Sequence, residues 1–301
     1  MKKTAISICA AVLAAVLCAS LGVGALAEGT APVAENLELK TYQNTSVGGC
    51  LSAYDADGGA LEYTITTPPV KGSLELGEDG CFVYTPREGK RGRDYFGYKA
   101  TDEQGEVSQE ATVIIKIEKA KREVSYSDMR GRADEYAAVA LAQRGIFTGE
   151  QLCGEYCFSP EKSVSRGEFL SMCMAVSGAE PFGAVLSTGF CDDASIPVWM
   201  KGYVAAAAMH GVVDGGAFEA AFEPEKPITE AEAALMLDKA MGVTSVAYIA
   251  LDDTLSPAAA QACANLTACG IIEGEVNPGY LTRSAAAKML VNALEVLENR
   301  K

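Results

Sequence analysis

Few residues in this chain are suited to chemistry, and their placement narrows what they can do. His210 is the single histidine, so histidine dyads and multi-histidine metal sites are limited to one residue. Its place directly before Gly211 suits the last turn of a helix. Cys153 and Cys157 form one close pair beside Cys173 and Cys191, and the irregular spacings favour disulfides or buried thiols over a four-thiolate zinc site. The acid pairs Asp192-Asp193 and Asp252-Asp253 read as helix starts. Arg166 and Arg283 are more informative. Each follows a helix-starting hydroxyl, Ser165 or Thr282, where positive charge is mildly unfavourable and no helix-local role explains it. In a third copy of the same turn the position is held by Glu230.

The elements that must position this column are themselves repeated. The turn reads Val164-Ser165-Arg166-Gly167-Glu168-Phe169, Ile228-Thr229-Glu230-Ala231-Glu232-Ala233 and Leu281-Thr282-Arg283-Ser284-Ala285-Ala286. Counting from the hydroxyl, positions +4, +7, +8 and +11 are apolar or small in every copy, which is one face of a helix. Ser165 and Thr229 have Glu168 and Glu232 where a capping box needs them, whereas Ala285 leaves the third box incomplete. Ahead of each turn lie a glycine stop, at Gly145, Gly211 or Gly270, then an apolar pair, and a proline, at Pro160, Pro224 or Pro278. Each copy therefore reads helix, glycine stop, irregular loop, proline, capped second helix.

The length of 301 residues suggests two compact units. Lys2 and Lys3 lead into an apolar run ending Ala25-Leu26-Ala27, the pattern of a cleavable secretory leader over residues 1–27, in preference to a lipoprotein anchor at Cys18 or a retained membrane helix. The leader holds two of 25 basic residues and none of 40 acidic ones, leaving a mature net charge of −17. Such a chain repels nucleic acid and anionic membrane surfaces. Eight cysteines survive cleavage, an even count that permits disulfides outside the cytoplasm.

Residues 28–118 read as all-β. Leu61-Glu62-Tyr63-Thr64-Ile65-Thr66 alternates, Val113 to Ile117 is β-branched, and turn signals at Asp57-Gly58-Gly59, Lys71-Gly72, Glu78-Asp79-Gly80 and Gln104-Gly105 space the strands as in a β-sandwich. Tyr54-Asp55-Ala56-Asp57-Gly58, Pro69-Val70-Lys71-Gly72-Ser73, Cys81 to Pro86 and Gly92 to Tyr98, in this order, resemble the bacterial cadherin-like or immunoglobulin-like modules of surface proteins. Some relatives bind calcium at acidic end loops, which the resemblance places at Asp55, Asp57 and Asp102; the residues alone read as a tight turn. Cys50 and Cys81 flank the early strands and either bridge the sandwich or stay as buried thiols. A charged run over 119–125 reads as a solvated connector.

Residues 126–301 are similar to S-layer homology (SLH) domains: the openings Tyr126-Ser127-Asp128, Phe190-Cys191-Asp192-Asp193 and Leu251-Asp252-Asp253, Trp199, the glycine pairs, the proline and the capped turn recur in order. The resemblance implies three repeats, 126–180, 181–242 and 243–301, in an all-α triplet with a pseudo-threefold helical spindle. It further implies grooves that bind secondary cell-wall polymer, a peptidoglycan-linked glycan often carrying pyruvylated sugar. Under that reading Arg166 and Arg283 bind the pyruvyl carboxylate, which an arginine fork at a helix N-terminus suits. Trp199, which could otherwise be core, offers a flat face to sugar; Asp128, Asp193 and Asp253 accept from hydroxyls; and Gly211 allows close approach. Glu230 would repel an anion, and Ala133 and Ala258 stand where the other copies would carry tryptophan, with Tyr136 a substitute in the first. One or two competent grooves are therefore expected. The resulting expectation is a noncatalytic, secreted protein of the cell wall or S-layer, without cofactor beyond calcium in the β-module, which serves as spacer or adhesive head. The competing expectation is a component whose degenerate repeats bind other surface proteins.

Overall fold

The structure, a computed structural model, describes residues 29–152, 154–214, 220–247, 255–274 and 276–300. The expected leader, Cys153 and Asp253 lie outside the described residues.

The first half is β throughout, as its alternation demands. Strands β1 (Val33–Ala34), β2 (Leu37–Tyr42), β3 (Val47–Cys50), β4 (Ala53–Tyr54), β5 (Glu62–Thr67), β6 (Gly72–Leu76), β7 (Cys81–Pro86), β8 (Gly92–Thr101) and β9 (Ala111–Glu118) follow in order. A four-stranded sheet β2-β9-β8-β5 faces a three-stranded sheet β3-β7-β6, with β1 and β4 paired separately. Period-two burial turns Phe82 and Tyr84 of β7, Phe96 and Tyr98 of β8, and Val113, Ile115 and Ile117 of β9 into one core. One buried polar cluster is satisfied locally. The Tyr84 hydroxyl donates to buried Asp94 at 2.8 Å, and that carboxylate also accepts from the backbone of Val70 and Lys71. Cys50 and Cys81 form a disulfide. It joins neighbouring strands β3 and β7 of one sheet, where the two residues are directly paired, so it does not bridge the two faces of the sandwich.

The second half is mainly helical: α1 (Glu135–Gln143), α2 (Arg166–Ser177), α3 (Val198–Met209), α4 (Glu230–Met241), α5 (Pro257–Ala268) and α6 (Arg283–Asn299). The local signals act as their chemistry requires. Ser165 and Thr229 close complete capping boxes with Glu168 and Glu232, while Thr282 caps α6 through Ala285 N–H alone. Gly145, Gly211 and Gly270 all take φ +70°, and the following Ile146, Val212 and Ile271 donate back to Leu141, Ala207 and Leu266. This is the Schellman bond from C″ to C3, made three times with one geometry. An all-helical second half is corrected in one respect. The loop after Gly149 folds as a hairpin of β10 (Glu150–Leu152) and β11 (Glu155–Cys157), pairing Glu150 with Cys157.

Three turns meet at the centre. Val164 N–H donates to Leu281 O at 2.9 Å, Leu281 N–H to Ile228 O at 2.8 Å, and Ile228 N–H to Val164 O at 3.0 Å. The hydrogen bonds close a ring, and all three side chains are buried. Around it, the first helix of each copy packs on the second helix of a neighbouring copy: α3 on α2, α5 on α4 and α1 on α6. The apolar stripe of each second helix, including Phe169, Cys173, Leu237 and Leu290, fills the shared core. Burial pushes the Cys173 thiol up to about 12, so it is an unreactive packing group.

The β-module is docked on the first copy. Gly48 N–H donates to Ala133 O at 2.8 Å, and a Cβ on Gly48 would sit 2.5 Å from that of Ala133. Glu135 accepts from Ser46 N–H, and Tyr42 packs on Tyr136 with ring centroids 5.7 Å apart. The connector is held too, because Gln143 accepts from the backbone N–H groups of Lys121 and Arg122 and donates to Arg122 O.

Candidate functional site

Two of the three proline turns are each braced by an aspartate. Asp128 accepts from Phe158 N–H at 2.9 Å and Ser159 N–H at 2.7 Å. Asp192 does the same for Phe222 and Glu223, both at 2.8 Å. Ser159 and Glu223 hold positive φ of 56° and 57°, a strained conformation that the carboxylate stabilises from outside. Burial raises the Asp192 pKa, but the two backbone donors and Ser195 outweigh it and hold the carboxyl below its usual range. The counterpart of Asp128 is thus Asp192, and Asp193 is corrected as its equivalent. The signal was available in the sequence, since both braces lie 30 residues before the phenylalanine they hold. Asp193 instead accepts from Thr188 N–H and Oγ1 and pairs with Lys201 at 2.5 Å. Lys201 and the Thr188 donors bring its carboxyl down to about 2.

The arginines occupy matching frames. The backbone N–H of Arg166 donates to Lys226 O and that of Arg283 to Lys162 O, at 2.8 and 2.9 Å. Arg166 lies 3.9 Å from Glu232, the capping acid of the next copy, with its guanidinium 5.7 Å from the Phe222 ring centroid. Arg283 lies 3.7 Å from Glu168, again the capping acid of an adjoining copy. Beyond this the two diverge. Arg283 also donates to Phe158 O at 3.1 Å and Glu150 at 2.9 Å and stacks 5.1 Å from the Phe147 ring centroid, so 4% of its side chain is exposed. Arg166 keeps 27% of its side chain exposed and lines a cavity of about 180 Å³ with Val212, Val213, Asp214, Glu232 and Lys239. Asp214 in this cavity is paired with Lys239 at 3.6 Å. A larger recess of about 550 Å³, lined by His210 and the ends of α2 and α4, adjoins it through Val212 and Lys239. Glu230, in the third frame, accepts from Asn277 N–H at 2.7 Å and so serves as a brace.

Other candidates divide between surface and frame. Trp199 is 59% exposed at the start of α3, so it is not a core residue. Exposed Val198 lies beside it in sequence. Gly211 is accounted for by its positive φ, and open space surrounds a Cβ built there. Tyr136 is committed to the β-module contact and cannot replace tryptophan at a ligand surface. In the β-module, Asp55 accepts from Asp57 N–H and Asp102 from Gln104 and Glu106 N–H, each as a turn brace, while Asp57 accepts from the distant Thr30 N–H. Among the described residues no three His, Cys, Asp or Glu side chains gather as a metal-binding group.

Comparison with known proteins finds one family match in each half of the chain. Residues 29–119 match the model of the bacterial cadherin-like domain, and residues 190–234 match that of the S-layer homology domain. No curated protein matches the chain. Among solved structures, an endo-fucoidan hydrolase from glycoside hydrolase family 107 is 16% identical, over 36% of this chain and 16% of that one, at a TM-score of 0.27. An adhesin from Streptococcus sanguinis is 17% identical over 33% and 67%, at 0.25, and Drosophila N-cadherin 15% identical over 30% and 25%, at 0.24. Likenesses at these scores carry no argument about activity.

Proposed function

Because the chain carries a bacterial cadherin-like domain followed by an S-layer homology domain, a pairing of noncatalytic modules in which the second implies cell-surface association, we propose that its helical half is an SLH triplet that anchors it to the wall by binding secondary cell-wall polymer. The β-module then stands outward as spacer or adhesive head. The ring of three backbone hydrogen bonds and the exchange of helices between copies support three equivalent units around a pseudo-threefold axis.

The observation that carries the binding site is the contrast in exposure of two arginines in matching frames. Arg166 presents its guanidinium at the N-terminus of α2, above a cavity, where a sugar-borne pyruvyl carboxylate would meet paired donors and the positive end of the helix dipole. Exposed Trp199 would offer its ring face to sugar C–H groups. Asp128, Asp193 and Arg283 are occupied by the protein itself, so the proposed ligand rests chiefly on Arg166. The test is sedimentation of the mature protein with purified wall sacculi, before and after chemical removal of the secondary polymer. Polymer-dependent retention that Arg166→Ala abolishes supports the site; unchanged retention of that variant removes it.

A second reading, assembly with other surface proteins, is favoured by the apolar side chains left outside around α3, namely Leu186, Val198 and Trp199. It predicts concentration-dependent self-association in analytical ultracentrifugation without retention on sacculi.

A further inference from the structure

Lysine and arginine are scarce in the β-module, yet strand register lines several of them up. Residues 29–118 hold eight basic and fifteen acidic side chains. Lys40 of β2 is paired with Lys116 of β9, and Lys116 in turn with Arg93 of β8. Directly paired residues project from one face of a sheet. Here the other face is the core, because the adjoining Thr41, Ile115 and Asp94 are buried. Three like charges therefore cross three adjacent strands in a single row, with the backbones of Lys40 and Arg93 about 10 Å apart. The turn between β7 and β8 extends the row with exposed Lys90 and Arg91. Lys71 Nζ donates to Arg91 O at 3.2 Å and to Arg93 O at 2.7 Å, which fixes that turn and adds a further ammonium.

Like charges placed directly opposite one another destabilise a sheet, and this row is relieved only in part. Lys116 pairs with Glu118 at 2.5 Å, whereas among the described residues Lys40, Lys90, Arg91 and Arg93 make no ion pair. The row is not a sample of a generally basic surface. The chain without its leader carries a net charge of −17, and the loop at the far end of β8 holds Asp102, Glu103 and Glu106. Beside the row, Tyr95 follows Arg93 on the same face and is 53% exposed, next to Ile114 and Glu38. Its ring gives the cations an adjoining amphipathic surface.

We propose that this row is a binding surface for a linear anionic polysaccharide, which lies across β2, β9 and β8 so that successive acidic groups meet Lys40, Lys116 and Arg93. Evenly spaced cations on a rigid sheet suit a chain of evenly spaced anions. Each contact releases counterions, and the sheet has nothing to reorder. A narrow single chain meets the row alone, with Tyr95 against sugar C–H groups. A duplex nucleic acid would press a broad negative rod against a module whose acids outnumber its bases. The surface belongs to the β-module and uses neither Arg166 nor Trp199, so it stands apart from polymer binding by the helical half. It gives the spacer or adhesive head a polyanion contact of its own.

The experiment measures binding of the mature chain to heparin, a linear sulfated polysaccharide, over a series of salt concentrations. Native protein is expected to bind at low salt and to lose affinity steeply as salt rises. Lys40→Gln, Arg93→Gln and Lys116→Gln together should weaken low-salt binding roughly tenfold and make the slope of log affinity on log salt shallower by about two. Lys99→Gln, further along the same strand and face, should bind as the native protein does, and so should Arg166→Ala. Circular dichroism checks each fold; if the triple variant does not fold, Lys40→Gln and Arg93→Gln singly should each weaken binding by roughly twofold. No native binding, or unchanged affinity in the folded row variants, overturns the inference. Equal affinity for duplex DNA overturns the choice of polysaccharide. Loss of heparin binding in Arg166→Ala, with the row variants unaffected, moves the contact to the helical half and overturns the row.

Discussion

Arg166 and Arg283 begin as the same residue in the same turn and end as different objects. Both follow a capping hydroxyl and start a helix, and both lie just under 4 Å from the capping acid of another copy. One retains contact with solvent and a cavity. The other is roofed by Phe147 and neutralised by Glu150. What closes Arg283 is Phe147 and Glu150 of an adjoining copy, so a repeated motif guarantees a repeated frame and leaves its occupancy to the neighbour.

The comparison can be broken at its common base, and there the largest effect is expected. Leu237 lies fully buried in the core that all copies share, and Leu237→Ala should cost roughly 2–5 kcal/mol, read as a lowered urea midpoint. Both arginine sites should be lost together with the fold.

A smaller effect should separate the arginines. Arg283→Ala leaves the buried Phe158 O without its side-chain donor, and should cost about 1–3 kcal/mol. Arg166→Ala should change stability by no more than about 0.5 kcal/mol, while retention on sacculi is lost. Equal urea midpoints for the two variants would refute the distinction.

The capping series sharpens the frames themselves. Thr229→Ala removes the cap of a complete box and should cost about 1 kcal/mol. Ala285→Glu should complete the third box and raise stability by roughly 0.5 kcal/mol, measured by the same midpoints.

The smallest effect concerns Asp193, whose folded-state pKa of about 2 lies below its ordinary 3.8. Its pairing with Lys201 should contribute fully above pH 3.8 and fade as pH falls through about 2, because only the unfolded chain takes up the proton in between. A carboxyl resonance titrating near 4 in the folded protein would contradict this, and Asp193→Asn should abolish the pH-dependent part.

Much of the frame was legible beforehand because its causes are local. A capping box spans three residues, a Schellman glycine five, and strand alternation two, so sequence periodicity exposes them directly. The β-module, the glycine stops at 145, 211 and 270, and the buried stripes of α2, α4 and α6 all follow from such short-range rules. The Asp128–Phe158 and Asp192–Phe222 braces were within reach too, through their equal spacing, although adjacent Asp193 drew the assignment.

The site itself was not legible in this way. Composition and spacing put two arginines in one column and gave no ground for choosing between them. The choice depends on Glu150 and Phe158, 133 and 125 residues away from Arg283 in the chain and brought to it only when the first copy closes against the third. The sequence by itself determined the caps, the stops and the repeated turn, because each is a bargain between residues a few positions apart. Tertiary structure alone decided which guanidinium stays open to solvent, because burial and charge compensation belong to the assembled neighbours.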